Sequence, residues 1–206
     1  PAVAPPALER IIIGDATELG DPGGNARIFP TLAQALASED FAANIEQLAV
    51  IEFRGPQRAQ TVPALVDIPA DKELIIRGVS KDDTPIEVVF AVDSADLPKR
   101  DWGLIEFVSG KLLFENLHLR MIVDSDISPA DDIALIQLSS AKKKQLDISK
   151  CIVTIDNPTP ELSETVALFD IAAAEAREDK EAAPRRLPIH LRACVVRGQA
   201  TVVRMP

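Results

Sequence analysis

The sequence contains no tyrosine and a single tryptophan, so the exposed aromatic platforms that stack on sugar rings have almost nothing to be built from. Its two cysteines are too few for a disulfide framework and lack the four-ligand spacing of a structural zinc site. Long apolar runs are missing too. The longest, such as LAVIEF and IEVVFAV, fall far short of the roughly 20 residues a bilayer span needs, so no membrane span is expected here. Basic charge is scarce: 22 Lys and Arg against 32 Asp and Glu leave a formal net charge of −10. With AKKK at 141–144 as the only lysine run, nucleic acid is not an expected partner, because phosphate binding relies on clustered cations. An acidic surface also repels anionic polysaccharide and lipid unless a cation bridges them. The opening PAVAPPALER has neither a Met nor the basic-then-apolar pattern of a signal peptide. That start reads as a processed chain or a piece of a longer one, and it leaves localisation open.

What is present is a 206-residue chain with 47% hydrophobic content, ample for a buried core, and a repeat. One echo runs through LIIRGV from Leu74, LLFENLHL from Leu112, LDISKCIV from Leu146 and IHLRACVV from Ile189. Its first position is Leu, Leu, Leu, Ile. Its third is Ile76, Phe114, Ile148, Leu191, and its sixth Val79, Leu117, Cys151, Cys194. Period-two alternation is strand-like, and its break after the third position predicts a bend between two short strands. A second echo precedes each: VIEF at 50–53, LIEF at 104–107, LIQL at 135–138 and LFDI at 168–171. In it Ile51, Phe53, Ile105, Phe107, Ile136, Leu138, Phe169 and Ile171 face inward, with Glu52, Glu106, Gln137 and Asp170 facing water. Such spacing marks a solenoid or similar repeat architecture. Short strands without intervening helical periodicity stack in parallel as a coil, so the expected fold is all-β, a parallel β-helix.

Two segments read as helix. TLAQALASEDFAANIEQL offers Thr31 as N-cap with Leu32, Ala35 and Leu36 on one face, placed to plug the first turn. AAAEAREDKEAAPRR, 172–186, reads as a short exposed helix or an arm, stopped by Pro184. Residues 1–27 are expected as an extended N-terminal segment and 28–206 as the β-helix domain.

The order FPTLAQAL, LAVIEFRGP, LIIRGV and TPIEVVF resembles the opening of right-handed parallel β-helix proteins of the pectin lyase-like superfamily, in which a capping helix leads into the first coil. LIEFVSGKLLFENLHL is similar to β-helix regions of large bacterial proteins described as serine/threonine-kinase-related. The resemblance covers about residues 28–206 and rests on apolar patterns, so it speaks to fold more than to activity. It implies a right-handed solenoid with an extracytoplasmic or envelope location. No glycine-rich phosphate loop, His-Arg-Asp or Asp-Phe-Gly motif is present, so any kinase lies outside this chain. The last echo is followed by VVRGQATVVRMP with no evident cap, which predicts that more turns, another domain of the parent chain or a second copy covers the C-terminal end.

Chemistry-bearing residues are few. DSDISPADD groups Asp124, Asp126, Asp131 and Asp132, with Arg120 nearby. β-helix enzymes that cleave polysaccharides use carboxylates on the coil surface directly or through calcium. An EF-hand is excluded by Pro129 and Leu135 at its glycine and glutamate positions. A solvated turn is the commoner meaning of such a loop. Glu52, Glu106, Gln137 and Asp170 form one outward column, and Arg77, Glu115, Ser149 and Arg192 a second whose charges pair at strand spacing. His118 and His190 occupy different repeat positions, which disfavours a metal pair, and both read as surface residues. Cys151 and Cys194 share the sixth position and read as stacked core residues; a disulfide requires Cβ atoms within about 4.5 Å. Trp102, beside Lys99 and Arg100, is the one aromatic available for a surface role. The functional expectation is a non-catalytic spacer or binding module of a larger bacterial protein, without a cofactor. The alternative is a polysaccharide lyase or glycoside hydrolase using the acidic loop, with calcium as its only candidate ion.

Overall fold

The computed structural model describes residues 10–19, 25–46, 48, 50–91, 102–125, 132–138, 144–171 and 187–205. The chain enters through β1 (Arg10–Ile13), α1 (Ala16–Leu19), β2 (Ala26–Phe29), α2 (Leu32–Leu36), α3 (Glu39–Asn44) and β3 (Val50–Arg54). Strands then come in rounds. The first holds β4 (Ala64–Asp67), β5 (Glu73–Val79) and β6 (Ile86–Ala91), and the second β7 (Trp102–Glu115) and β8 (Leu117–Ile122). The third holds β9 (Ile133–Leu138), β10 (Lys144–Ser149) and β11 (Ile152–Asp156). After it come β12 (Val166–Ile171), β13 (Ile189–Arg192), β14 (Val195–Gly198) and β15 (Thr201–Arg204).

Each round pairs with the next in parallel, and the fold is mostly strand, with parallel sheets that do not close into a barrel. Three ladders result. The longest runs β2, β1, β3, β5, β7, β10, β13; another runs β4, β7, β9, β12, β15; the third runs β6, β8, β11, β14. Parallel neighbours require a long crossover; helices α1, α2 and α3 lie between β1, β2 and β3, and from β5 onward the strands of the other two ladders supply it instead. β7 serves two ladders: residues 102–107 pair with β9 and residues 111–115 with β5. Between them Gly110 has φ of +92°, and a Cβ there would lie 2.3 Å from Ile68 Cγ1, so only glycine fits the bend.

The first echo forms the long ladder in the register its spacing predicts. Leu74, Leu112, Leu146 and Ile189 stand in line, as do Ile76, Phe114, Ile148 and Leu191. Its fifth position is the bend. Asn116, Lys150 and Ala193 all have φ between 52° and 54°, a left-handed residue that ends one strand and redirects the chain into the next. The sixth position departs from expectation in the first round: Leu117 stands opposite Ile86, while Val79 pairs with Arg54 of the long ladder. Residues 80–85 are an insertion that moves the strand start.

The second echo holds from 104 onward, with Ile105, Ile136 and Phe169 in one row and Glu106, Gln137 and Asp170 in the next. VIEF does not belong to it. β3 lies in the long ladder, where Ile51 meets Ile76 and Glu52 meets Arg77; the strand beneath Ile105 is β4, with Ala64 and Val66 inward. Glu52 therefore heads the other column, and it does not face water: its side chain is 3% exposed, covered by Arg54 and Arg77.

The inward rows form one continuous core in which Phe53, Phe107, Phe114 and Phe169 are at most 1% exposed, each contributing about 1.5–3 kcal/mol. β5, β8 and β10 alternate buried and half-buried residues, whereas β9 and β12 are buried on both faces. The N-terminal helix is as its sequence suggests: the Thr31 side chain accepts from the Gln34 amide, and Leu32, Ala35 and Leu36 are buried. Ser38 then caps α3 separately. α2 packs against β4, β1 and β2. β1 falls within the segment expected as a lead-in, yet it lies between β2 and β3 with Ile11 and Ile13 fully buried, so this part belongs to the sheet. Among the described residues no helix is long and apolar enough to cross a membrane. The 172–186 arm and the Trp102 side chain lie outside the described part.

Candidate functional site

The ladder of β6, β8, β11 and β14 turns a polar face outward. Inward, Val88, Leu119, Val153 and Val196 form one row and Phe90, Met121, Ile155 and Gly198 another. Alternation therefore sends the residues between them to the other face. The outward rows are Glu87, His118, Ile152, Val195; then Val89, Arg120, Thr154, Arg197; then Ala91, Ile122, Asp156. Six polar side chains from four strands, with Gly198, line a groove of about 440 Å³.

The groove is wired by hydrogen bonds across the strands. Arg120 Nε donates to Asp156 Oδ2 at 2.6 Å, and its terminal nitrogen lies 3.6 Å from Glu87 Oε1. Arg197 Nε donates to the Thr154 hydroxyl at 2.9 Å, and that hydroxyl lies 2.9 Å from His118 Nε2. Burial lowers the His118 pKa below 6.5, and Arg197 and Arg120 add to the shift against the opposing pull of Glu87. A neutral ring fits the network: Nε2 accepts the Thr154 proton, and Nδ1 carries its hydrogen toward Glu87 Oε1 at 3.6 Å.

Hydroxyl, imidazole and carboxylate in that order resemble an activated nucleophile, but two features work against attack. Thr154 is only 8% exposed, and its oxygen already accepts from Arg197, which lowers its nucleophilicity. The Glu87 contact is also too long for the hydrogen bond that would orient the ring. The network suits holding a fixed surface. Arg120 is neutralised by Asp156 and Glu87, whereas Arg197 meets no carboxylate among the described residues. An anionic ligand group has one ready partner there.

Of the residues read from the sequence as a possible acidic site, only Arg120 lines this groove. Asp124 follows the end of β8. Asp132 sits before β9 and accepts from Arg204 at 2.7 Å; Arg204 also holds Asp170 at 2.9 Å. Asp126 and Asp131 lie outside the described residues. Among the described residues no set of three or more His, Cys, Asp or Glu is placed to hold a metal ion. His190 is elsewhere, with Nδ1 2.8 Å from Asp147 in the long ladder. Cys151 and Cys194 are both free thiols. Glu87, Thr154, Asp156 and Arg197 were not legible as site residues because they share no local motif. Aligning IEVVFAV with LHLRMIV, IVTID and VVRG, past the 80–85 insertion, is the one sequence signal that lines them up.

No protein-family model matches the chain, and neither a curated protein nor a solved structure matches it.

Proposed function

We propose that this chain is a right-handed parallel β-helix, a non-catalytic binding module of a larger bacterial protein. Its ligand is an acidic polysaccharide whose carboxylate docks at Arg197 in the groove over the four-strand ladder. The solenoid reading is supported by three parallel ladders visited in constant order from β4 onward, with strands rather than helices as crossovers there. Arg197 carries the ligand reading: a guanidinium tied to the rigid sheet through Thr154, without a carboxylate partner among the described residues, in an open polar groove. The overall charge of −10 repels such a polymer at long range, so binding is local and weakens with salt only as one or two contacts require.

The test incubates the purified chain with acidic and neutral polysaccharides, with and without calcium, scoring co-sedimentation and newly formed chain ends. The proposal expects co-sedimentation with uronate-bearing polymers, independent of calcium, lost in Arg197→Ala, and no new ends. New ends abolished by Asp124→Asn or Asp132→Asn would make the protein a lyase or hydrolase instead. Failure to bind any polymer would leave a spacer.

A further inference from the structure

One hydroxyl in the groove links an arginine to a histidine. Thr154 Oγ1 lies 2.9 Å from Arg197 Nε and 2.9 Å from His118 Nε2. A threonine hydroxyl has one hydrogen and two lone pairs. While Nε2 is unprotonated, Thr154 accepts from Arg197 and directs its hydrogen to the ring. Once Nε2 carries a proton, the ring becomes the donor and Thr154 accepts from both neighbours. Its own hydrogen then has to turn away from His118, and Thr154 lines the groove. His118 and Thr154 stand on β8 and β11, each paired with a strand on either side, so the sheet holds this arrangement rigid.

The surroundings of His118 pull in both directions. Burial is the largest influence and favours the neutral ring, and Arg197 from β14 and Arg120 from its own strand act the same way. Glu87 from β6 and Asp156 from β11 pull toward the imidazolium, and Glu87 Oε1 lies 3.6 Å from Nδ1. An anion docked on Arg197 sits one hydroxyl away from the ring. It offsets the repulsion from that arginine and adds an attraction of its own, because an opposite charge within about 4–6 Å favours the charged form. The ring is 18% exposed, so solvent can deliver the proton.

We propose that the groove takes up a proton with its ligand: as a carboxylate docks at Arg197, His118 Nε2 gains a proton from solvent, and the reversed hydrogen bond frees the Thr154 hydroxyl to donate to that carboxylate. Thr154 keeps its own hydrogen throughout, so the one N–H bond formed accounts for the one proton consumed. Linkage then requires binding to strengthen as pH falls. This rests on the groove being a carboxylate site.

The test is calorimetric titration of the chain with a trimer of galacturonic acid, whose carboxylates stay ionised from about pH 8 to about pH 5. Wild type and His118→Gln are compared at constant ionic strength in two buffers of different ionisation enthalpy. Wild-type affinity is expected to rise roughly five-fold or more over that range, with net proton uptake. His118→Gln is expected to show only the shallower rise that comes from protonating carboxylates elsewhere on the acidic surface. A second readout needs no variant: the histidine ring carbons of the wild type, followed by NMR, should show His118 titrating at higher pH when saturated with the trimer than when free. His190, which lies in the long ladder beside Asp147, serves as the internal reference. Equal slopes in the two proteins, or a His118 titration that the trimer leaves in place, would overturn the proton coupling and leave the groove reading standing. No heat at any pH with either protein would sink the groove reading, and the coupling with it.

Discussion

Arg77 of β5 reaches back to Glu52 of β3 and donates to its Oε1 at 2.6 Å, while Arg54 donates from Nε to Oε2 at 3.0 Å. Burial alone would raise the Glu52 pKa, but the two guanidiniums outweigh it and hold the carboxyl below its ordinary value of 4.5. The folded state therefore gains stability from this group above pH 4.5 and loses it as pH falls below that value toward the folded pKa. Glu52→Gln is expected to cost about 1–3 kcal/mol at neutral pH. Urea unfolding of both proteins should show the gap closing in acid.

His118 carries the opposite charge type and the same sign of pH dependence. Its folded pKa lies below 6.5, so as pH falls through that value the unfolded chain takes up a proton the folded chain refuses. Stability is full above pH 6.5 and declines below it. Thermal unfolding across that range should show a decline in the wild type that His118→Gln lessens.

Ala193 has φ of 52°, in the position filled by Asn116 and Lys150 in earlier rounds. A left-handed conformation costs an alanine about 1–2 kcal/mol, which glycine escapes. Ala193→Gly is expected to raise the unfolding midpoint despite glycine's freer unfolded chain, and Ala193→Val to lower it.

The two thiols should differ in reactivity. Cys151 is 1% exposed, and burial pushes its pKa up to about 11; Cys194 is half-buried in the connection between β13 and β14. Titration with a chromogenic disulfide should release one equivalent promptly and the second only in denaturant. Two prompt equivalents, or none, would contradict this arrangement.

The legibility of this fold follows from what alternation encodes. Leu74, Leu112, Leu146 and Ile189 declare their shared row because every strand of the long ladder buries the same face. Alternation does not say which ladder a strand joins, and so VIEF at 50–53 looks like LIEF at 104–107 although β3 stacks on β5. β4 is short, follows Pro63 and exposes Leu65, leaving a faint pattern for the strand that does lie beneath Ile105. Glu52 reads as solvent-facing because its position is outward; the arginine arms that cover it come from Arg54 and from a different strand. The groove is less legible still. Glu87, His118, Thr154 and Arg197 lie more than a hundred residues apart at their extremes, and only the register of β6, β8, β11 and β14 brings them onto one face.

The most direct test of the account is an NMR titration of the protein with a short uronic acid oligomer, following backbone amides and arginine side-chain resonances. The account predicts shifts concentrated at Glu87, His118, Arg120, Thr154 and Arg197, and their loss in Arg197→Ala. Shifts confined to other faces, or an unchanged response in Arg197→Ala, would contradict it.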